Sequence, residues 1–136
     1  MTEAPNHLSH KPIISVDNYA AIDGKFANDT DVVALSIGFA QYDETDISGK
    51  IWRYTGERWS RQSEELPLHR IFDLSILAVA ALMAENGSHY AHTNLREIIK
   101  QPESVAAIEE YFKANEKTLR PRLEELHRVL GKFLRK

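Results

Sequence analysis

An α+β fold is predicted by three stretches of the chain. Residues 32–41 alternate large and small side chains with a period of two, the pattern of a strand with one heavily packed face. Residues 50–55, Lys-Ile-Trp-Arg-Tyr-Thr, are rich in aromatic and β-branched types, which suit a second strand. Residues 74–84 carry only Ser75 as a polar side chain. That run is too short for a bilayer span of about twenty residues and too long for an ordinary strand of about five or six. Its alanines, leucines and methionine favour a helix. The expected architecture is a small antiparallel β-meander or hairpin packed on a helical half. The helical half holds a buried central helix over about 66–85 and an amphipathic C-terminal helix over about 118–134.

Taken in order, residues 1–11 form a polar, flexible tail with His7 and His10, and residues 12–136 form a single domain. Residues 12–16 are β-prone and begin with Pro12, which fits an edge strand. Residues 17–31 are rich in Asp, Asn and Gly and read as turns. In 32–41 the large residues are Val33, Leu35, Ile37 and Phe39, and the small ones are Ala34, Ser36, Gly38 and Ala40. A helix is the competing assignment there. Residues 43–46 have hairpin length, and a strand at 49–55 completes a three-stranded meander.

The central helix is expected to start near Ser63 as N-cap, with Pro67 in the first turn. Asn86-Gly87 provides its stop. Asn94 and Glu97 have capping-box spacing for a short helix to about Lys100. Pro102 opens a helix to about Asn115, striped by Val105, Ile108, Tyr111 and Phe112. Thr118 caps the last helix, where Leu119, Leu123, Leu126, Val129, Leu130, Phe133 and Leu134 recur at three- and four-residue spacing.

Composition narrows the function classes. The chain has 136 residues and no cysteine, so disulfides, thiolate nucleophiles and zinc–thiolate sites are excluded. The N-terminus lacks an apolar signal region, and a cytoplasmic location is expected with no membrane association. Net charge is −3. Residues 1–48 hold eight acids and two lysines, and residues 96–136 hold ten bases and seven acids. This gradient is far weaker than the basic footprint of a nucleic-acid binder. The basic face of the last helix is interrupted by Glu124 and Glu125. No Gly-rich phosphate loop and no Gly-x-Ser-x-Gly motif occurs. His89 and His92 fall in a loop, where solvation explains them better than a metal.

The charged junction ahead of the apolar run holds the candidate ligand-binding residues Arg58, Arg61, Glu65, His69, Arg70 and Asp73. On a helix, Glu65, His69 and Asp73 would share one face at four-residue spacing. Asp73 would point towards Leu77 and Ala80, where a carboxylate must be paired or protonated. A structural ion-pair network with Arg58 or Arg61, flanked by Trp52 and Trp59, is one account. The alternatives are a divalent-metal site or an arginine-held phosphate with His69 as acid or base. No motif assigns a catalytic residue, a metal or a cofactor.

The segment Trp59-Ser60-Arg61-Gln62-Ser63-Glu64-Glu65-Leu66-Pro67-Leu68-His69-Arg70, continued by Asp73-Leu74, resembles a family of short bacterial proteins of uncharacterised function. The similarity covers about residues 18–84. It implies a bacterial cytoplasmic origin and no particular activity. With no catalytic signature and a wide apolar stripe on the last helix, the expectation is a non-enzymatic binding or regulatory protein acting through a homodimer or protein partner. The alternative is a small enzyme or ligand-binding protein with its site at 58–73.

Overall fold

The computed structural model describes residues 3–4, 10–60, 64–85 and 91–135. Their elements are strands β1 (Lys11–Asp17), β2 (Val32–Phe39), β3 (Ile47–Arg53) and β4 (Glu64–Pro67), then helices α1 (Leu68–Leu82), α2 (Val105–Ala114) and α3 (Glu116–Leu134). The strands form one antiparallel sheet in the order β1-β2-β3-β4. The fold is α+β, as the sequence predicts. The chain divides into two compact units, Met1–Leu74 and Ser75–Lys136.

The sheet has one strand more than expected. Glu64–Pro67 pairs with Ser48–Ile51 and does not begin the central helix, which starts at Leu68. The cause is Pro67. It restricts Leu66 to extended backbone, and as an edge residue it costs the ladder no hydrogen bond. The expected N-cap Ser63 and the Asn86-Gly87 stop lie outside the described residues. The β2–β3 connection closes on Asp43, whose carboxylate accepts hydrogen bonds from the backbone N–H and hydroxyl of Thr45 at 2.9 and 2.7 Å. Those bonds hold its pKa below the usual value.

The depth of β2 reverses the sequence expectation. The small residues are the buried ones: Ala34 is 0% exposed, while Phe39 is 45% exposed. Residues 34, 36 and 38 share a face with Trp52, Lys50 and Ser48 of β3, by register. Small side chains on β2 leave the volume that His10 and the Trp52 indole fill. The opposite face meets α1 through Ile71, whose Cδ1 lies 2.5 Å from the point a Cβ on Gly49 would occupy. Arg53 ties three segments together, reaching Asp31 at 2.6 Å and Glu64 at 3.0 Å.

The central helix is apolar but not buried. Ala80 is its one buried residue, and Phe72, Leu74, Ile76 and Leu77 are all exposed. A helix apolar on nearly every side has more surface than one sheet contact can cover. The expected helix at 94–100 is also absent. Its Thr93 and Glu97 close a turn instead, with the Thr93 hydroxyl donating to Glu97 Oε1 at 2.6 Å. Arg96 sits at φ 59°, a left-handed conformation no α-helix continues through. α3 forms as predicted, two residues longer at its start. Thr118 lies inside its first turn and donates to the Asn115 carbonyl at 3.0 Å.

Gly38 permits β1 to approach β2, since a Cβ there would overlap the backbone of Lys11 and Pro12. Backbone cannot yield as a side-chain tip can. Gly38→Ala is expected to lose about 1–3 kcal/mol in urea unfolding, with β1 amides losing exchange protection first. Unchanged stability would show that β1 does not hold this register.

Candidate functional site

A closed chain of polar side chains crosses the small-residue face of the sheet. His10, immediately before β1, is 0% exposed, as is Ser48 of β3. The His10 ring joins two strands: Nε2 lies 2.9 Å from Ser36 Oγ and Nδ1 lies 2.9 Å from Ser48 Oγ. Trp52 Nε1 donates to Ser36 Oγ at 2.8 Å. Ser48 Oγ donates to Glu65 Oε2 at 2.9 Å, and the Gln41 backbone N–H donates to the same oxygen at 2.9 Å. Lys50 Nζ stands 3.9 Å from Glu65 Oε1 and 4.3 Å from the Trp52 ring centroid.

Donor counting fixes the protons. Each serine hydroxyl has one proton to give. Ser48 gives its proton to the Glu65 carboxylate, so it must accept from His10 Nδ1–H. Ser36 accepts from Trp52 and gives its own proton to His10 Nε2. The result is a neutral imidazole in the Nδ1–H tautomer with every donor matched. Protonating Nε2 would aim a second N–H at Ser36 Oγ beside that of Trp52, leaving the Ser36 proton without an acceptor. Burial acts in the same direction. It pushes the His10 pKa below its ordinary value, against the opposing pull of Glu65 and with help from Lys50. Burial likewise lowers the Lys50 pKa, against Glu65. Glu65 Oε2 is 3.8 Å from His10 Nδ1, beyond hydrogen-bond length, so Ser48 mediates between them. The His10 and Trp52 rings meet edge to face at 5.8 Å between centroids, and Trp52 meets Trp59 at 5.7 Å.

Chemically, this arrangement holds shape. Serine, histidine and carboxylate occur together, but the acid contacts the serine rather than the histidine. Ser48 Oγ therefore accepts a hydrogen bond from His10 Nδ1–H, and its own proton has no base to take it except Glu65. Ser48 is 0% exposed. Among the described residues, no group of three or more histidines or carboxylates is placed to hold a metal ion.

Of the sequence candidates, only Glu65 belongs to this network. It projects from β4, so the helical phase that would align it with His69 and Asp73 does not exist. His69, Arg70 and Asp73 are exposed on the first turns of α1. Arg58 is exposed in the β3–β4 connection, where its carbonyl accepts from Thr55 N–H at 3.0 Å. Arg61 and His89 lie outside the described residues. No hydrogen bond or ion pair among the described residues joins Glu65 to His69, Arg70 or Asp73. An exposed Asp73 needs no partner, so the argument for a buried ion pair at that position falls away. His10, placed by sequence in a tail, was missed because nothing in its polar neighbourhood signals burial. The usable signal was Ser36, a hydroxyl in the middle of an otherwise apolar β2 face.

The profile of a family of unknown function (DUF6530) matches residues 1–99. The chain belongs to this family. The match takes in the whole sheet and α1 and ends before α2 and α3, so the His10 network lies within the part of the chain that defines the family. No curated protein and no solved structure matches the chain. No helix among the described residues is long and apolar enough to cross a membrane.

Two outcomes follow from the network. Unfolded chain takes up a proton at His10 near the ordinary histidine pKa of about 6.5, and folded chain takes it up only at lower pH. Stability is then level above about pH 6.5 and declines as pH falls from there through the folded value. Melting curves between pH 7.5 and 5 should show that decline in wild type, and His10→Asn should flatten it on a lower baseline. A rise in stability on acidification would mean His10 is held protonated. Separately, Ser48→Ala strands His10 Nδ1–H in a dry site and removes one of Glu65's donors. It is expected to cost about 1–3 kcal/mol in chemical unfolding, and a value near zero would mean water replaces the hydroxyl.

Proposed function

We propose that the chain is a non-enzymatic binding protein that works through self-association along α3. The observation that carries this is the state of α3: none of its 19 residues is buried, and Phe133 is 83% exposed. Leu119, Leu123, Leu126, Leu130 and Phe133 follow one another at alternating steps of four and three, the seam spacing of paired helices. Val129 and Leu134 widen that seam and are also exposed.

A second copy suits this seam better than an unrelated helix in one specific respect. The C-terminal half of α3 carries Arg128 and Lys132 with no acid, whereas the N-terminal half is balanced, with Glu116, Glu124 and Glu125 against Lys117, Arg120 and Arg122. Antiparallel pairing centred on Leu126 sets Glu124 level with Arg128 of the other copy. Parallel pairing would bring the basic halves together. Two-fold pairing of one surface with itself is the commonest assembly of soluble chains. The sealed His10 network supports the non-enzymatic part, because its most reactive groups face no solvent.

Sedimentation velocity over a hundredfold dilution series tests this. Wild type should move from monomer to twice the monomer mass as concentration rises. Leu130→Glu should stay monomeric with unchanged circular dichroism. Wild type that remains monomeric throughout would overturn the proposal.

A further inference from the structure

The unit Ser75–Lys136 encloses a half-open cavity of about 490 Å³ between the second half of α1, the 91–104 segment and the start of α2. Its lining is dominated by apolar side chains. Ala80 and Val105 in its lining are buried, and Ala81, Ile108 and the more exposed Ile98 line it with them. The room exists because α1 turns alanines towards it. The volume falls within the range of small-molecule sites, about 300–1,000 Å³.

The polar groups at the mouth are mostly committed. Both Glu97 carboxylate oxygens are occupied, Oε1 by the Thr93 hydroxyl at 2.6 Å and Oε2 by the His92 backbone N–H at 2.7 Å. Ser104 Oγ donates to Gln101 Oε1 at 3.0 Å. Lys100 is different. It is exposed and forms no ion pair among the described residues. A largely apolar lining beside an exposed Lys100 that has no ion pair among the described residues suits an amphipathic monoanion.

We propose that this cavity binds a medium-chain carboxylate, its tail against Ala80, Ala81, Ile98, Val105 and Ile108 and its head group on Lys100. The site is independent of the α3 seam and does not rest on self-association. A neutral alcohol of the same length would share the tail contacts and lack the head-group contact. A second copy inserting a side chain is the competing occupant.

Isothermal titration of the full chain with decanoate, octanoate and decanol separates these possibilities. Decanoate should saturate at one site per chain, with octanoate roughly tenfold weaker for two fewer methylenes. Lys100→Glu should weaken decanoate at least fivefold and leave decanol within twofold. Ala81→Phe should abolish both, with an unaltered melting temperature as the sign that the cavity is filled rather than the fold lost. If that variant does not fold, the chain-length series and the Lys100 arm decide alone. Three results overturn the proposal: no saturable binding, Lys100→Glu affecting acid and alcohol alike, or decanoate binding that disappears as the protein self-associates.

Discussion

A serine hydroxyl has one proton, and the sheet depends on how two of them are spent. Ser36 and Ser48 stand on neighbouring strands with the His10 ring between them at 2.9 Å on each side. Because Trp52 donates into Ser36 and Glu65 draws the proton of Ser48, only one tautomer of one charge state of His10 satisfies every atom. No buried side-chain nitrogen or oxygen among the described residues lacks a partner. In a low-dielectric interior such a network strengthens when complete and penalises any missing member. It joins the residue before β1 to β2, β3 and β4, so the order of the strands and the position of residue 10 are specified together.

The alternation in β2 follows from that requirement. A histidine and an indole cannot lie flat on a sheet face carrying leucines and phenylalanines. Ala34, Ser36, Gly38 and Ala40 supply the shallow face, and the large residues go to the other side, where Ile71 of α1 fits against Gly49. Packing size therefore runs opposite to burial along this strand. The usual inference, that the large apolar face is the deep one, assumes the other layer of the core is also apolar. Here that layer contains an imidazole and a lysine stem.

The sequence made the α+β class legible, along with strands at 32–41 and 50–55 and the amphipathic last helix, because each is a local periodicity. Register was not legible. Ser36, Lys50 and Glu65 come together only when β2, β3 and β4 are aligned as Ser36 with Lys50 and Lys50 with Glu65, and a hydroxyl or carboxylate carries no mark of its cross-strand partner. The same blindness misplaced Glu65. Spacing of four from His69 looks helical, yet the proline at 67 governs the backbone on both sides of it. Leu66-Pro67 was the available sign, and it outweighs charge spacing, since steric exclusion of a backbone conformation exceeds the few tenths of a kcal/mol of a helical side-chain pair.

The two long helices show what apolar content does and does not encode. α1 has a continuous apolar run and α3 a spaced stripe, and the first resembles a core element far more than the second. Yet both leave large side chains exposed: Phe72, Leu74 and Ile76 on α1, and Leu126, Leu130 and Phe133 on α3. Apolarity states that a surface gains free energy when water leaves it. It does not state whether the covering atoms come from the same chain. Geometry separates the two helices. A stripe with regular four-three steps has a single direction of contact and suits a straight partner of matching repeat, whereas an all-round apolar helix can be satisfied only by contacts from several sides. On α1 those sides differ along its length: Ile71 meets the Gly49 face of the sheet, and the alanines at 80 and 81 border a cavity. Its composition therefore records several separate contacts, and only α3 carries the periodic mark of one.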